Sequence, residues 1–188
     1  MIPNMEPFTR SIDLLSGAIA ADAVVEDRRV ADLRGYYLDD SGAEPDRIIY
    51  RVYAVPVPEA NSELQCSTTV IEPGRIGREY HMTKGHFHAH RDRSEVYLGL
   101  AGDGLLILAT EDGRHRVEPI RKGSLSYVPG GWAHRSVNLG DEPLAFFAVY
   151  VGDAGHDYAT VAEHGFPVRV IEGDDGAPLV KQHPGHRR

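Results

Sequence analysis

The chain has 188 residues, a formal charge of −8, 41% hydrophobic and 26% charged residues; these are the proportions of a folded domain with its own core, not of a disordered, collagen-like or membrane-embedded chain. An acidic balance with a pI near 5.6 gives no general attraction to nucleic acid or anionic membranes, so an anionic ligand must be held by a local pocket and a small-molecule partner is expected. The single cysteine, Cys66, excludes an intrachain disulfide and reads as a small buried residue, while the lack of a basic start followed by an apolar run, and of any stretch near ~20 apolar residues, makes the cytoplasm the expected location.

Helical spacing appears only early, over Ser11 to Ala20 and around Val24 to Leu33, where Leu14, Leu15, Ile19, Val24, Val25, Val30 and Leu33 are the apolar positions. From Ile48 onward the texture changes to β-branched and aromatic runs punctuated by Gly, Pro, Asp and Asn. Strands are expected at Arg47 to Val55, Ser67 to Glu72, Glu95 to Ala101, Gly104 to Thr110, His115 to Ile120, Leu125 to Val128, His134 to Asn138, Leu144 to Val151 and Val168 to Glu172. The turns Gly102-Asp103-Gly104 and Glu111-Asp112-Gly113 tolerate positive φ and join consecutive runs as hairpins. Gly155 to Phe166 reads as a loop or short helix, and Lys181 to Arg188 as a frayed polar tail. This many short strands indicates an all-β sandwich or closed barrel.

Histidines crowd the stretch His81 to His90. The spacing of His86 and His88 puts two imidazoles on one face of a strand. Glu95 opens an apolar strand, where an inward carboxylate is costly unless a cation compensates it. His134 follows the turn residues Pro129-Gly130-Gly131, which can bring it back beside the first group. Three imidazoles and a carboxylate suit one divalent ion, Fe²⁺, Mn²⁺, Co²⁺, Ni²⁺ or Zn²⁺, and leave positions for substrate. Taken singly, a His-x-His is more often a surface feature and Glu95 equally reads as the start of an exposed edge strand. His81, His90, His115, His164, His183 and His186 are read as solvated.

Gly85-His86-Phe87-His88 with Glu95 and Gly102 resembles the first cupin motif, with a longer gap before the Glu than usual. Gly123, Pro129, Gly131, His134 and Asn138 match the second motif without departure. The resemblance implies a cupin jelly-roll β-barrel with a few short helices, divided as residues 1–46, an N-terminal arm with short helices packed on the barrel, residues 47–172, the barrel, and residues 173–188, a polar tail, in one domain overall. The flanking residues, Met82-Thr83-Lys84, Asp92-Arg93-Ser94-Glu95-Val96-Tyr97, Trp132-Ala133-His134-Arg135 and Gly155-His156-Asp157-Tyr158, look like the cupin-type phosphoglucose isomerases of archaea and some bacteria.

That family resemblance implies interconversion of glucose 6-phosphate and fructose 6-phosphate with one divalent ion per subunit, Fe²⁺ foremost, held by His86, His88, Glu95 and His134. Glu95 is then the general base of a proton transfer through a cis-enediol, or mainly an orienting ligand in a hydride shift. Tyr97 and His156 join it as catalytic candidates, His156 for ring opening. Phosphate contacts fall on Tyr50, Thr69, Thr83, Gly85, Tyr150 and Tyr158, with Lys84 or Arg135 as candidate cations, since no P-loop is present. For the threonines plain β-propensity, and for the tyrosines a place in the core or an interface, are the bland readings. The resemblance also implies a homodimer. Mannose 6-phosphate isomerisation, Fe²⁺ dioxygenation, or metal-dependent binding of a sugar phosphate without turnover are the alternatives.

Overall fold

A computed structural model describes residues 5–20 and 22–186. In chain order these form β1 (Val24–Arg29), a 3-10 helix (Val30–Leu33), β2 (Ile48–Ala54), β3 (Leu64–Ile71), β4 (Arg75–Ile76), β5 (Glu79–Tyr80), β6 (Glu95–Ala101), β7 (Asp103–Ala109), β8 (His115–Arg121), β9 (Leu125–Val128), β10 (Ala133–Asn138), β11 (Leu144–Val151), α1 (Tyr158–His164), β12 (Val168–Glu172) and β13 (Pro178–Gln182). One wall is a six-stranded sheet in the order β1-β2-β3-β11-β6-β9; the other is built from a β10-β7-β8 sheet and a β13-β12-β5-β4 sheet. The chain between β5 and β6 stitches the two smaller sheets together. Thr83 N–H donates to the Ser136 carbonyl at 2.9 Å, Asn138 N–H to the His81 carbonyl at 3.0 Å, and His86 and His134 exchange backbone bonds of 3.2 and 3.0 Å. The result is an all-β, jelly-roll-like barrel.

Between the walls lies one main core containing Ile49, Ile71, Leu106, Leu108, Ile120, Leu144, Phe146 and Phe166, whose removal from water is the principal favourable contribution to folding. The second cupin motif is explained by this packing. Asn138 is fully buried, donating to the carbonyls of Ile71 and Glu142, each at 2.9 Å, and accepting from Gly140 N–H at 2.9 Å, so its amide is satisfied where an apolar residue would leave carbonyls orphaned. Gly131 takes φ +80° in the turn that returns the chain to His134.

Several expectations are corrected. Ser11 to Ala20 is not helical: Ile12 and Ile19 pair in an antiparallel bridge around a turn in which the Asp13 carboxylate accepts from Leu15 and Ser16 N–H. Local side-chain bonding of this kind competes with helix, and Leu14 and Leu15, 58% and 80% exposed, sit on the turn instead of on a buried helical face. Val24 to Leu33 becomes β1 followed by the 3-10 helix, because β1 pairs with β2 and tertiary pairing overrides weak helical periodicity. An edge strand of the main sheet thus falls inside the segment read as a helical arm. The short strands β4 and β5 escaped the sequence reading. Lys181 and Gln182 belong to β13, paired with Arg169 and Val168 of β12, so fraying does not begin there; Arg187 and Arg188 lie outside the described residues. Gly155 to Phe166, read as a loop or short helix, does contain a short helix, α1, whose N-terminus is capped by Asp157 accepting from Thr160 N–H. Cys66 is half-buried, not buried.

His81, read as solvated, is 1% exposed. Its Nδ1 meets the Glu72 carbonyl at 3.0 Å, while Nε2 is buried without a partner. Burial pushes its pKa down to about 4 from the ordinary 6.5. The unfolded chain therefore takes up a proton at higher pH than the folded one, and the stability this residue confers is complete above pH 6.5 and lost as pH falls toward 4. Acid titration of unfolding should show a drop on the order of 3 kcal/mol across that window attributable to this group, and His81→Leu should flatten it even if it lowers stability at neutral pH.

Candidate metal centre and substrate cavity

The pleat of the six-stranded sheet arranges the site. Alternate residues of five strands face inward, and the inward sets are Val24, Glu26 and Arg28 on β1; Tyr50, Val52 and Ala54 on β2; Gln65, Ser67 and Thr69 on β3; Glu95 and Tyr97 on β6; and Phe146, Ala148 and Tyr150 on β11. Register fixes neighbours: Arg28 opposes Tyr50, Val52 opposes Thr69, and Tyr150 opposes Glu95. With Thr83, Gly85, His86 and His134 from the facing wall, and His156 and Tyr158 from the loop before α1 and its first residue, they enclose a cavity of about 370 Å³.

At its inner end the ligand atoms of His86, His88, Glu95 and His134 all lie within 4.8 Å of one another. Glu95 is 4% exposed, His88 5% and His134 2%. The Glu95 Oε2 atom lies 3.2 Å from His88 Nε2 and 2.9 Å from His134 Nε2. His88 Nδ1 faces the Arg93 carbonyl at 2.9 Å and His134 Nδ1 the Trp132 carbonyl at 3.3 Å. Each carbonyl fixes the proton on Nδ1 and turns the Nε2 lone pair to the centre, the support that metal-ligating imidazoles receive. The Nε2 atoms of His86 and His134 are buried without a hydrogen-bond partner. Burial drives His86 well below the ordinary imidazole pKa. Burial alone would push Glu95 up, but His134 and His88 beside it hold its carboxyl down at about 2. One buried anion among lone pairs that converge on a point is a donor set that fits a divalent cation.

The loops beside the ligands are tied together. Arg93, whose carbonyl orients His88, binds the Asp153 carboxylate with two bonds of 2.7 and 2.8 Å; Arg91 binds Asp157 at 2.6 Å. The segment carrying His156 and Tyr158 is thereby pinned over the centre. The His156 ring stacks on Tyr158 with centroids 5.7 Å apart and lies 4.4 Å from that of His86; though partly exposed, it is held below the usual imidazole pKa by burial. Tyr97 stacks on Phe146 at 4.7 Å, and burial followed by the Glu95 charge keeps its hydroxyl well above the ordinary phenol pKa.

Of the residues named for the site from the sequence, all but His88, Lys84 and Arg135 line the cavity. Lys84 and Arg135, named as cations for a phosphate, do not line it. Arg135 turns to the opposite face of β10, and Lys84 holds its ammonium 5.9 Å from the Tyr158 ring centroid. The cation that does reach the cavity is Arg28, paired with Glu26 at 2.5 Å. Its signal was the alternation of Val24, Glu26 and Arg28, concealed by a helical reading.

A barrel of this topology with three histidines and a glutamate converging inside it defines a metal-dependent cupin. A family model described as Glucose-6-phosphate isomerase (GPI) matches residues 27–186, and the chain belongs to that family. A glucose-6-phosphate isomerase from Pyrococcus horikoshii is 46% identical over 185 residues, covering 95% of this chain and 96% of that protein; one from Thermococcus litoralis is 42% identical over 187 residues, 97% of each. Among solved structures, oxalate decarboxylase from Bacillus subtilis is 24% identical over 57% of this chain and 26% of its own, with a TM-score of 0.44.

Stripped protein reloaded with a divalent ion should take up one ion per chain by elemental analysis and melt at higher temperature, since a ligand at 100 times its Kd adds ~2.7 kcal/mol; His134→Ala should lose both effects. Gly85 has φ +71°, and a Cβ there would lie 2.6 Å from the Phe166 ring. Gly85→Ala should therefore cost about 2 kcal/mol in denaturant unfolding.

Proposed function

We propose that this chain interconverts glucose 6-phosphate and fructose 6-phosphate, with one divalent ion, Fe²⁺ foremost, held by His86, His88, Glu95 and His134. The observation that carries the reading is a cavity that joins a His₃–Glu centre to a polar end containing Tyr50, Thr69, Thr83 and Arg28, within a chain 46% identical to a named glucose-6-phosphate isomerase. When bound, the ion supplies Lewis-acid polarisation of the substrate oxygens on C1 and C2. Glu95 moves the proton between those carbons through a cis-enediol. Its Oε2 atom is the one turned to His88 and His134, which leaves Oε1 for the proton. Burial opposes ionisation of Glu95, and His134 and His88 beside it favour the carboxylate, the form a general base requires.

Tyr97 orients the Glu95 side of the substrate, and His156, neutral and at the rim, assists ring opening. Tyr50, Thr69, Thr83, Gly85, Tyr150 and Tyr158 hold the substrate with hydroxyl and backbone donors, and Arg28 supplies the charge for the phosphate. No helix among the described residues is long and apolar enough to cross a membrane, and the cytoplasm remains our reading of location. The exposed edges, Val24 and Val25 of β1 at 52% each and Leu125 and Tyr127 of β9 at 72% and 62%, support a homodimer in which a partner covers a sheet edge.

Fructose 6-phosphate turnover, coupled to a glucose-6-phosphate dehydrogenase, should vanish on chelation, return with one preferred ion, and fall at least about 10³-fold in Glu95→Gln if the carboxylate is the base. No turnover with any ion in folded, metal-loaded protein would refute the isomerase reading. Arg28→Gln should raise KM about tenfold and change kcat less, the signature of binding energy equal in ground and transition states.

A further inference from the structure

Behind the metal centre, across β10, lies a second polar cavity of about 110 Å³ lined in part by Arg135, Arg169, His164, His183 and Glu163. Strand alternation sends His134 to one side of β10 and Arg135 to the other. Arg135 is 3% exposed, and no carboxylate among the described residues forms an ion pair with it. Its Nε and one terminal nitrogen donate to the Lys84 carbonyl at 3.1 and 2.6 Å, and its guanidinium carbon lies 4.5 Å from the Phe166 ring centroid and 5.8 Å from that of Tyr36. Arg169, 8% exposed, spends one nitrogen on the Glu79 carboxylate at 2.5 Å and the Tyr36 carbonyl at 2.9 Å. Its Nε, like His164 Nδ1, is buried without a partner.

His183 completes the cluster. Its Nδ1 accepts from Gly185 N–H at 3.0 Å, so the neutral ring carries its proton on Nε2 and is a donor there. Burial, and then the charge of Arg169, push its pKa down to about 4.

We propose that this cavity binds a small inorganic oxyanion, of the phosphate or sulfate class, between Arg135, Arg169 and His183. A buried guanidinium without a carboxylate is costly unless an anion compensates it. Arg135, Arg169 and His183 all line the cavity, and its one acidic lining residue, Glu163, is exposed. Charge-assisted N–H···O bonds to a tetrahedral anion would engage the side chains of Arg135, Arg169 and His183. At about 110 Å³, against 370 Å³ for the substrate cavity, it has room for an oxyanion but not for a sugar phosphate. The anion would also act on the metal centre. Arg135 grips the carbonyl of Lys84, which adjoins Gly85 and His86, so filling this cavity fixes the backbone that carries a metal ligand.

The test uses metal-loaded protein with Tyr50→Phe and Thr83→Ala in an Arg28→Gln background, which removes the charge and two hydroxyl contacts offered to phosphate in the substrate cavity. Calorimetric titration with inorganic phosphate should still show one site per chain, filled at millimolar concentration, and sulfate should compete for it while chloride does not. Arg169→Gln and His183→Ala should each weaken binding about tenfold, the loss of one hydrogen bond to a charged group. Where Arg169→Gln fails to fold because Glu79 loses its partner, His183→Ala, which breaks no ion pair, decides alone. Selenate soaked into crystals should give an anomalous peak among the three side chains. No binding in the triply substituted protein, binding unaffected by His183→Ala, or a crystal structure with the Glu163 carboxylate seated between the arginines would overturn the proposal.

Discussion

The carboxylate of Glu95, buried at the head of an apolar strand, is the constraint on which the rest of the molecule depends. Left alone it would be among the costliest groups in the fold, and the structure answers with three imidazoles whose lone pairs meet it within 4.8 Å. Two of those rings, His88 and His134, are themselves aimed by backbone carbonyls, and one of these belongs to Arg93, clamped in turn by Asp153. The requirement to compensate one charge thus propagates outward until it orders the loop that closes the cavity.

The second determinant is geometric. A sheet alternates its side chains, so five strands present a grid of tyrosines, small hydroxyl residues and Glu95 to the cavity while their intervening residues pack elsewhere. No single strand forms the site. Tyr50, Thr69 and Tyr150 come together because the register of β2, β3 and β11 brings inward positions side by side.

Much of this was legible in the chain. The spacing of His86, His88, Glu95 and His134 announced an ion, because few other arrangements justify a carboxylate at the start of such an apolar strand, and the β texture from Ile48 onward announced the barrel. What escaped reading has physical reasons. Val24 to Leu33 carries apolar residues that fit a helix as well as a strand, and only pairing with β2 decides between them; with that strand went Arg28. His81 was misjudged because a single histidine carries no periodic signal of burial. Arg135, offered with Lys84 as a cation for the phosphate, misses the substrate cavity because neighbours in a strand face opposite ways, and His134 takes the inner face.

Parity on the main sheet also governs which changes in length the chain can absorb over evolutionary time. One residue inserted within β2, β3, β6 or β11 would invert every inward side chain beyond it, sending Glu95 or its tyrosine neighbours to the outer face. Insertions at the hairpin tip around Gly113, beyond the last paired residues of β7 and β8, leave the grid untouched. Lineages descended from this architecture are therefore free to lengthen their turns but not their inner strands, and divergence in size should collect at the tips while the lining of the cavity keeps its count.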